Sequence, residues 1–512
     1  MAAYRQQAAE VEFSQSSATF DGLCEFLASA QALELDHTGL EQEVDRRGRE
    51  VLRSLFQDHL SLRTRREEPR PVTGSDGVRR THLRDESTPL MTIFGPVRVE
   101  RTGVGARGCE SLFPMDAELN LPPEAHSFGV RRRVATEAAK GSFDEAVEAV
   151  RGQTGAIVSK RQAEKLTAAA AHDFDAFYAR RPSREVRAAS NEIVVLTTDG
   201  KGIFVRQQDL REQTRRAAQT SRHKLRKRLS KGEKRNRKRM ATVASVYSVA
   251  PHVRTPADIV RELRPVHDVA GTPRPKPSHK RTWASIAKES TQVISEVFDE
   301  AAGRDPRREH QWAAVVDGNA PQREALEEEA RRRQVNLVIV LDLIHALEYL
   351  WKAAYCFHAD GTPEAEAWVT ERLVALLEGK VSDVAAGIRR SATRRGLHAK
   401  SRKPVDKCAD YFLTLKQYMK YDEYLAAGLP IASGVIEGAC RHLVKDRMDI
   451  TGARWSLAGA EAVLRIRAIR ASGDFDRYWQ FHLAQERERN HTSRYAEGLP
   501  RSAARSHLRL VK

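Results

Sequence analysis

Three short apolar runs that each end in an aspartate constrain the fold of this chain most strongly. The runs and their aspartates are Ile193–Thr198 with Asp199, Trp312–Val316 with Asp317, and Leu337–Leu341 with Asp342. Their length and richness in β-branched residues predict buried strands. Carboxylates at strand ends, joined by Glu437 on a predicted helix, can converge on a pair of Mg²⁺ ions.

Each carboxylate also has an ordinary interpretation. Asp199-Gly200 lies between two β-rich runs and is a strong hairpin-turn signal, which predicts a turn there. Asp317 precedes a Gly-Asn pair typical of a loop, and Glu437 fits a surface position on a helix. The joint placement of the carboxylates, rather than any one of them, therefore indicates a site.

Composition narrows the class of protein. A chain of 512 residues predicts two to four domains, and a net charge of +17 favours a polyanionic partner. The five cysteines form no CxxC pair, which argues against a zinc module or a disulfide framework and suggests a reducing compartment. The polar start indicates no secretory signal, and no run of eighteen apolar residues predicts a membrane span. We expect a cytoplasmic protein without membrane contact.

The order of elements predicts an α/β fold with a ribonuclease-H-like core. Strands at 193–198, 203–206 and 242–249 would form an antiparallel meander, and a helix is expected at 283–302. The remaining predicted elements alternate: strand 312–317, helix 321–334, strand 336–341 and helix 343–357. The predicted domains are a helical N-terminal region and linker (1–78), a region that binds DNA ends (79–185), the core (186–360 and 428–475), an α-helical insertion (361–427) and a C-terminal tail (476–512).

Two segments indicate nucleic-acid contact. Helices around 143–150 and 158–166, joined through Gly152 and Gly155, outline a helix-turn-helix, although any packed helical hairpin looks similar. A small β-hairpin precedes them at Met91–Arg101. Between Arg222 and Arg239, 11 of 18 residues are Lys or Arg, which suits a phosphate backbone but also a solvated loop. These bases are Arg222, Lys224, Arg226, Lys227, Arg228, Lys231, Lys234, Arg235, Arg237, Lys238 and Arg239.

Topology separates Asp317 from Asp342. In a ribonuclease-H-like core the second carboxylate ends strand four, which is Asp317 here, whereas Asp342 ends strand five. Asp342 and His345 would share the first turn of a helix, either as a capping residue with a packed histidine or as a pair that orients a phosphate or a carboxylate. Glu437, Arg441 and Lys445 recur every four residues, so one helix face carries a carboxylate and two cations, as a salt-bridged stripe or as a metal ligand beside DNA contacts.

These motifs resemble bacterial insertion-sequence transposases of the DDE superfamily, in particular the Mutator-like clade and its ISKra-type branch. The matching segments are Ile193–Gly202, Trp312–Asn319, Asp342–His345 with Glu348 and Trp351, Ser433–Trp455, Phe94–Val97 and Leu119–Pro122. The likeness extends from about residue 80 to residue 490.

The resemblance implies a DNA transposase that cuts and joins strands with two Mg²⁺ ions, for which Mn²⁺ substitutes. Asp199, Asp317 and Glu437 would be the catalytic, metal-binding triad, with Asp342 and His345 as an auxiliary pair. The partners would be double-stranded DNA of the terminal inverted repeats and of the target, bound by a homodimer or higher oligomer. A degenerate, inactive transposase that only binds DNA is the alternative.

Overall fold

The structure is a computed structural model that describes residues 12–181, 187–189, 191–222, 235–263, 274–450 and 452–498. It divides into two compact units. The first unit comprises Met1–Ala179 and Asp474–Lys512, and the second comprises Arg180–Gly473. No helix among the described residues is long and apolar enough to span a membrane.

The first unit combines helices with two small β-hairpins. Its elements are α1 Ser14–Leu27, α2 Ala30–Leu33, α3 His37–Arg65, β1 Val72–Thr73, β2 Arg79–Arg80, β3 His82–Thr92, β4 Gly95–Gly105, α4 Pro114–Leu119, α5 Phe128–Ala138, α6 Phe143–Gln153, α7 Lys160–Ala170, α8 Phe174–Arg180 and, from the C-terminal segment, α21 Phe475–Asn490. The β3–β4 hairpin confirms the strands predicted around Gly95-Pro96, and it is longer than predicted, with eleven residues in each strand.

The helices predicted to outline a helix-turn-helix are α6 and α7. Each begins with a capping box, in which the side chain of Ser142 or Ser159 accepts a backbone hydrogen bond and a Glu or Gln side chain bonds back. Both helices pack with α5 around a core that includes Val134 and Leu166. The two helices lie where they were predicted, but this packing is also that of an ordinary three-helix bundle.

A five-stranded mixed sheet forms the centre of the second unit. Its strands are β5 Ile193–Phe204, β6 Lys238–Val249, β7 Ser278–Ser285, β8 Trp312–Val316 and β9 Leu337–Leu341, in the spatial order β7-β6-β5-β8-β9. The first three strands pair antiparallel, whereas β8 lies parallel to β5 and β9 lies parallel to β8. The mixed α/β class predicted from the sequence is confirmed.

Helices complete this unit. They are α9 Glu212–Thr220, α10 Pro256–Leu263, α11 Ser290–Arg304, α12 Ala320–Arg333, α13 Leu343–Ala354, α14 Pro363–Leu377, α15 Val381–Arg394, α16 Ala399–Leu415, α17 Tyr421–Ala426, α18 Gly434–Ala439, α19 Asp446–Met448 and α20 Leu457–Ala471. A π-helical segment, Cys440–Lys445, continues directly from α18. Residues 363–426 are helical, as predicted for the insertion.

The hairpin turn predicted at Asp199-Gly200 is wrong. Strand β5 continues without a break to Phe204 and pairs with β6 along its whole length. A tight hairpin of the favoured kind needs positive φ at its central residues, and Gly200 and Gly202 do not have it. A Cβ on Gly202 would lie 2.9 Å from the Lys238 side chain, so this glycine makes room for the facing strand rather than a turn.

The helix predicted at 283–302 begins too early. Residues Ser278–Ser285 form β7, and the helix α11 starts only at Ser290. Burial explains the strand, since the segment from Arg281 to Ser285 is buried against the rest of the sheet.

Candidate metal-binding site

The register of the parallel strands brings the three aspartates into one row. Thr197 of β5 pairs with Val315 of β8, and Val316 of β8 pairs with Leu341 of β9. Continuing the same register places Asp199, which lies within β5, beside Asp317 and Asp342, which directly follow β8 and β9. Adjacent strands lie about 4.8 Å apart, and residues of one row point to the same face of the sheet. Three carboxylates therefore share one edge of the sheet.

Asp199 is half-buried and is held by two donors. The backbone N–H of Gly200 donates to its Oδ1 at 2.6 Å. The Sγ–H of Cys440 donates to its Oδ2 at 3.1 Å. Burial and the neighbouring Asp199 carboxylate both raise the pKa of the Cys440 thiol, so the sulfur keeps its proton and acts as a donor.

Asp317 directly follows β8 and is also half-buried. Its Oδ1 accepts a hydrogen bond of 2.9 Å from the backbone N–H of Asn319, whose own side chain caps helix α12. The hydroxyl of Tyr411, from helix α16, donates to the Asp317 carbonyl at 2.9 Å. Burial raises the pKa of Tyr411, which keeps this donor protonated. The insertion thus fixes the backbone at the end of β8. Among the described residues, Oδ2 of Asp317 accepts no hydrogen bond.

Asp342 differs from the other two aspartates because its side chain is fully buried and both oxygens are engaged. Oδ1 accepts from the backbone N–H of Ile344 at 2.8 Å, an N-cap contact that starts helix α13. Oδ2 accepts from the backbone N–H of Ser433 at 3.3 Å and from the Ser433 hydroxyl. It also faces Nδ1 of His345 at 3.4 Å. Asp342 therefore ties the start of α13 to the residue that precedes α18.

His345 and Glu437 complete a cluster with Asp342. One ligand atom from each of the three residues lies within 4.8 Å of the other two, so the cluster could hold a metal ion. The hydrogen bond from His345 Nδ1 to Asp342, assisted by the charges of Asp342, Asp317 and Glu348, raises the pKa of His345 to about 8 against the opposing effect of burial. Glu437 is exposed on α18, a short helix that packs against β5 and β6.

The sequence predicted Asp199, Asp317 and Glu437 as a triad, and the structure does not bring ligand atoms of all three within 4.8 Å of one another. Asp199 and Asp317 are absent from the described groups of three donors that all lie within 4.8 Å of one another, whereas Asp342 and His345 join Glu437 in one. The row of aspartates and this cluster share Asp342, so all five residues lie around one edge of the sheet.

The helix that carries Glu437 changes character immediately after it. Residues Cys440–Lys445 are π-helical, a rare form that inserts an extra residue per turn and is frequent at functional sites. Arg441 and Lys445 are both exposed. Among the described ion pairs, Arg441 approaches Asp446, at 3.9 Å, and not Glu437. Both side chains therefore lie on the protein surface, and Arg441 has Asp446 as a nearby counter-ion.

Only part of the predicted basic segment lies within the described residues. Arg222, Arg235, Arg237, Lys238 and Arg239 are described, whereas Lys224, Arg226, Lys227, Arg228, Lys231 and Lys234 lie outside. The Arg239 guanidinium donates to backbone carbonyls of Ile286, Asp209 and Ala287 at 2.8 to 3.4 Å, and burial lowers the pKa of this group. Lys238 lies 4.5 Å from the centre of the Phe204 ring. Arg239 therefore stabilises the fold, whereas Arg222, Arg235, Arg237 and Lys238 are exposed.

A second cluster with metal-ligand chemistry lies in the first unit and was not predicted. It consists of buried Asp173, His482 and Glu486, again with ligand atoms within 4.8 Å. Arg131 donates to His482 Nε2 at 3.0 Å and to Glu486 at 2.8 Å, and Arg489 pairs with both acids. Because two guanidinium groups contact the side chains of this cluster, it is a buried ion-pair network. No sequence signal pointed to it, because Asp173 and His482 are 309 residues apart.

Comparison with known proteins adds no relative to this picture. No protein-family model matches the chain, and no curated protein matches it.

Proposed function

We propose that this protein is a DNA transposase, which binds the ends of a mobile element and catalyses Mg²⁺-dependent strand cleavage and strand transfer. The observation that carries the proposal is the row of Asp199, Asp317 and Asp342 at one edge of the sheet, with Glu437 beside it. A net charge of +17 supports a polyanionic substrate.

The topology supports a ribonuclease-H-like core. Three antiparallel strands are followed by two parallel strands, and helices connect the parallel ones. The first carboxylate lies on the first strand of the sheet, the second follows the fourth strand, and the last lies on a late helix. The helical residues 363–426 separate Asp317 from Glu437, as the resemblance to DDE transposases implies.

The donor set suits Mg²⁺. This ion prefers oxygen ligands and usually takes one or two carboxylates from the protein together with water and substrate phosphates. Asp199, Asp317 and Glu437 would hold the metal, because each presents a carboxylate oxygen at an accessible edge. Asp342 suits this role less, since its side chain is fully buried, whereas Asp199 and Asp317 are half-buried and Glu437 is exposed. The His345 nitrogen is a poor ligand for Mg²⁺.

The chemistry exchanges one phosphodiester bond for another. Cleavage breaks a P–O bond as water attacks phosphorus, and joining breaks a second P–O bond as the freed 3′-hydroxyl attacks target DNA. Bound Mg²⁺ would activate the attacking oxygen and stabilise the leaving oxygen. Around that centre, Asp342 orients His345 through Nδ1, which leaves Nε2 to donate to a phosphate oxygen. Arg441 and Lys445 would contact the DNA backbone.

A plasmid that carries the coding sequence of this chain with its flanking DNA on both sides tests the proposal. Incubation of the full-length protein with Mg²⁺ or Mn²⁺ should release defined 3′ ends in the flanking DNA, whereas EDTA should abolish them. Asp317→Asn should remove cleavage while DNA binding persists. Asp383→Asn is the matched control, because Asp383 is an exposed aspartate in the first turn of α15.

Two outcomes would contradict the proposal. Cleavage that survives Asp317→Asn would remove this residue from the triad. A wild-type protein that binds the flanking DNA but cuts it with neither metal would favour the alternative, a degenerate transposase that acts by binding alone.

A further inference from the structure

Exposed large apolar side chains concentrate in the segment that contains the first three helices. Seven of the fifteen among the described residues fall between residues 20 and 55: Phe20, Leu27, Leu33, Leu35, Val44, Leu52 and Leu55. Single exposed apolar residues are normal on a protein surface, but a contiguous set marks an interaction surface. Phe20 and Leu52 are 54% and 48% exposed, so about half of each side chain still contacts water.

Helices α1 and α3 pack as an antiparallel pair. The backbone N–H of Ser16 donates to Asp58 at 2.8 Å, and the hydroxyls of Thr19 and Ser54 lie 3.3 Å apart. Residue numbers therefore rise along α1 as they fall along α3, and position 24 of α1 lies level with about position 50 of α3.

The exposed apolar residues of both helices face the same side of this pair. An α-helix turns about 100° per residue. One stripe of α1 therefore contains Phe20, Cys24 and Leu27, and it lies about a quarter turn around the helix from the residues of α1 that contact α3. Val44, Leu52 and Leu55 form a stripe about a quarter turn beyond the residues of α3 that contact α1. Because the helices run in opposite directions, equal rotations bring both stripes to one side. Together they form a single apolar face, which we call the α1–α3 face.

The α3 stripe matches the same stripe of a second α3 helix that runs antiparallel to it. Around its midpoint, near residue 50, Val44 mirrors Leu55 and Gly48 mirrors Leu52. A Cβ on Gly48 would meet no atom within 4 Å, so the space beside this glycine is open to a leucine of a facing helix. Glycine in place of alanine destabilises a helix by up to about 1 kcal/mol, and a close contact with a second helix would offset this loss.

Polar side chains follow the same symmetry. Exposed Glu41 lies one turn before Val44, and exposed His59 lies one turn after Leu55. Among the described ion pairs, neither residue has a partner. An antiparallel arrangement of two α3 helices would place Glu41 of each copy opposite His59 of the other and would also oppose the helix dipoles. Such a residue pattern fits a second copy of the same helix.

We propose that the α1–α3 face binds the same face of a second copy of this chain, forming an antiparallel four-helix contact about a two-fold axis. The axis passes level with residue 50 of α3, and hence level with Cys24 of α1. An isologous contact pairs each surface with itself, so the two Cys24 residues face each other across the axis. This dimer contact is independent of the proposed chemistry.

Light scattering of the full-length protein after gel filtration tests the contact. Wild type should be a dimer, and Leu52→Arg should raise the dimer Kd at least about a hundredfold, because it places a charge in the centre of the interface. Leu83→Arg is the matched control, since Leu83 is a leucine of similar exposure, 55%, on the β3–β4 hairpin. A monomeric wild type, or a dimer unaffected by Leu52→Arg, would overturn the proposal.

Cysteine cross-linking gives an independent readout. Mild oxidation with copper phenanthroline should link two wild-type chains through Cys24, which is exposed, and Cys24→Ser should abolish the link. Should Leu52→Arg prevent folding, Glu41→Arg and His59→Glu each weaken the dimer, and their combination restores it. Cross-linking that persists in Cys24→Ser, or charge reversals without mutual rescue, would contradict this orientation of the two chains.

Discussion

Replacing Asp342 with asparagine should destabilise the second unit by about 1.5 to 3 kcal/mol, the cost of one hydrogen bond to a buried charged group. Asparagine is nearly isosteric with aspartate, but it has one acceptor oxygen instead of two. That oxygen can replace Oδ2 and keep the bonds from Ser433, and the amide NH₂ then faces the backbone N–H of Ile344. One acceptor is lost and two donors oppose each other in a site without access to water.

Thermal unfolding in EDTA and in Mg²⁺ measures this effect and separates it from metal binding. A loss of this size should lower Tm by about 3 to 10 °C for a domain of this size class. Asp317→Asn should change Tm little, because an amide oxygen keeps the hydrogen bond from Asn319, the one that the described residues make to this side chain. Mg²⁺ at about a hundred times its Kd should stabilise wild type by about 3 kcal/mol.

The two variants should therefore behave in opposite ways. Asp342→Asn loses stability without metal and still gains stability from Mg²⁺, whereas Asp317→Asn keeps its stability without metal and gains none from Mg²⁺. If Asp342→Asn were as stable as wild type in EDTA and insensitive to Mg²⁺, Asp342 would be a metal ligand. The inference that it positions its neighbours would then be wrong.

Three further substitutions test other features of the second unit. Glu300→Gln should cost about 3 to 5 kcal/mol in denaturant unfolding, because it leaves three buried arginines without their common partner. Since those arginines lower the pKa of Glu300 from 4.5 to about 2, wild type should lose this stability as pH falls from 4.5 towards 2, and the variant should not. The pKa of His345 is raised from 6.5 to about 8. The stability that its pairing with Asp342 contributes is therefore fully present below pH 6.5 and is lost as pH rises through 8. His345→Gln should flatten the pH dependence of the unfolding free energy between these two values. Cys440→Ala should weaken Mg²⁺ binding in a calorimetric titration while Cys440→Ser preserves it, because only serine can donate to Asp199; equal affinity in both variants would show that this hydrogen bond does not orient the carboxylate.

Local sequence signals were sufficient where a strand is buried on both faces. Strands β8 and β9 are continuous apolar runs, and parallel strands with both faces covered read in this way. The aspartates at their ends were therefore correctly located at strand ends. Once the parallel register is known, their alignment with Asp199 follows.

Local signals failed where pairing between distant segments decides the structure. Asp199-Gly200 is a turn signal by itself, yet twelve residues of β6 pair through it and keep β5 extended. Strand β7 has His279 and Lys280 near its start and lacks a clear apolar run, so only its pairing with β6 identifies it. The sequence could not reveal these partners, because they lie far apart along the chain.

The chemistry of the candidate site was only partly predictable, because some of its contacts also join segments that lie far apart along the chain. Residue types and spacing identified the carboxylates and the Asp342–His345 pair on one helix turn. The contact that distinguishes Asp342, its hydrogen bonds from Ser433, joins residues 91 positions apart. The hydrogen bond from Cys440 to Asp199 spans 241 positions. Neither contact has a local signature.

The most direct test of the account is a Mn²⁺ titration of the full-length protein followed by electron paramagnetic resonance, with Mn²⁺ as the probe for the Mg²⁺ sites. Wild type should bind two ions close enough for their spins to couple, Mg²⁺ should displace both, and Asp199→Asn, Asp317→Asn and Glu437→Gln should each remove the coupled signal. Asp383→Asn should leave it unchanged. A wild-type protein without Mn²⁺ binding, or one whose signal survives all three substitutions, would contradict the assignment of this sheet edge as a two-metal site.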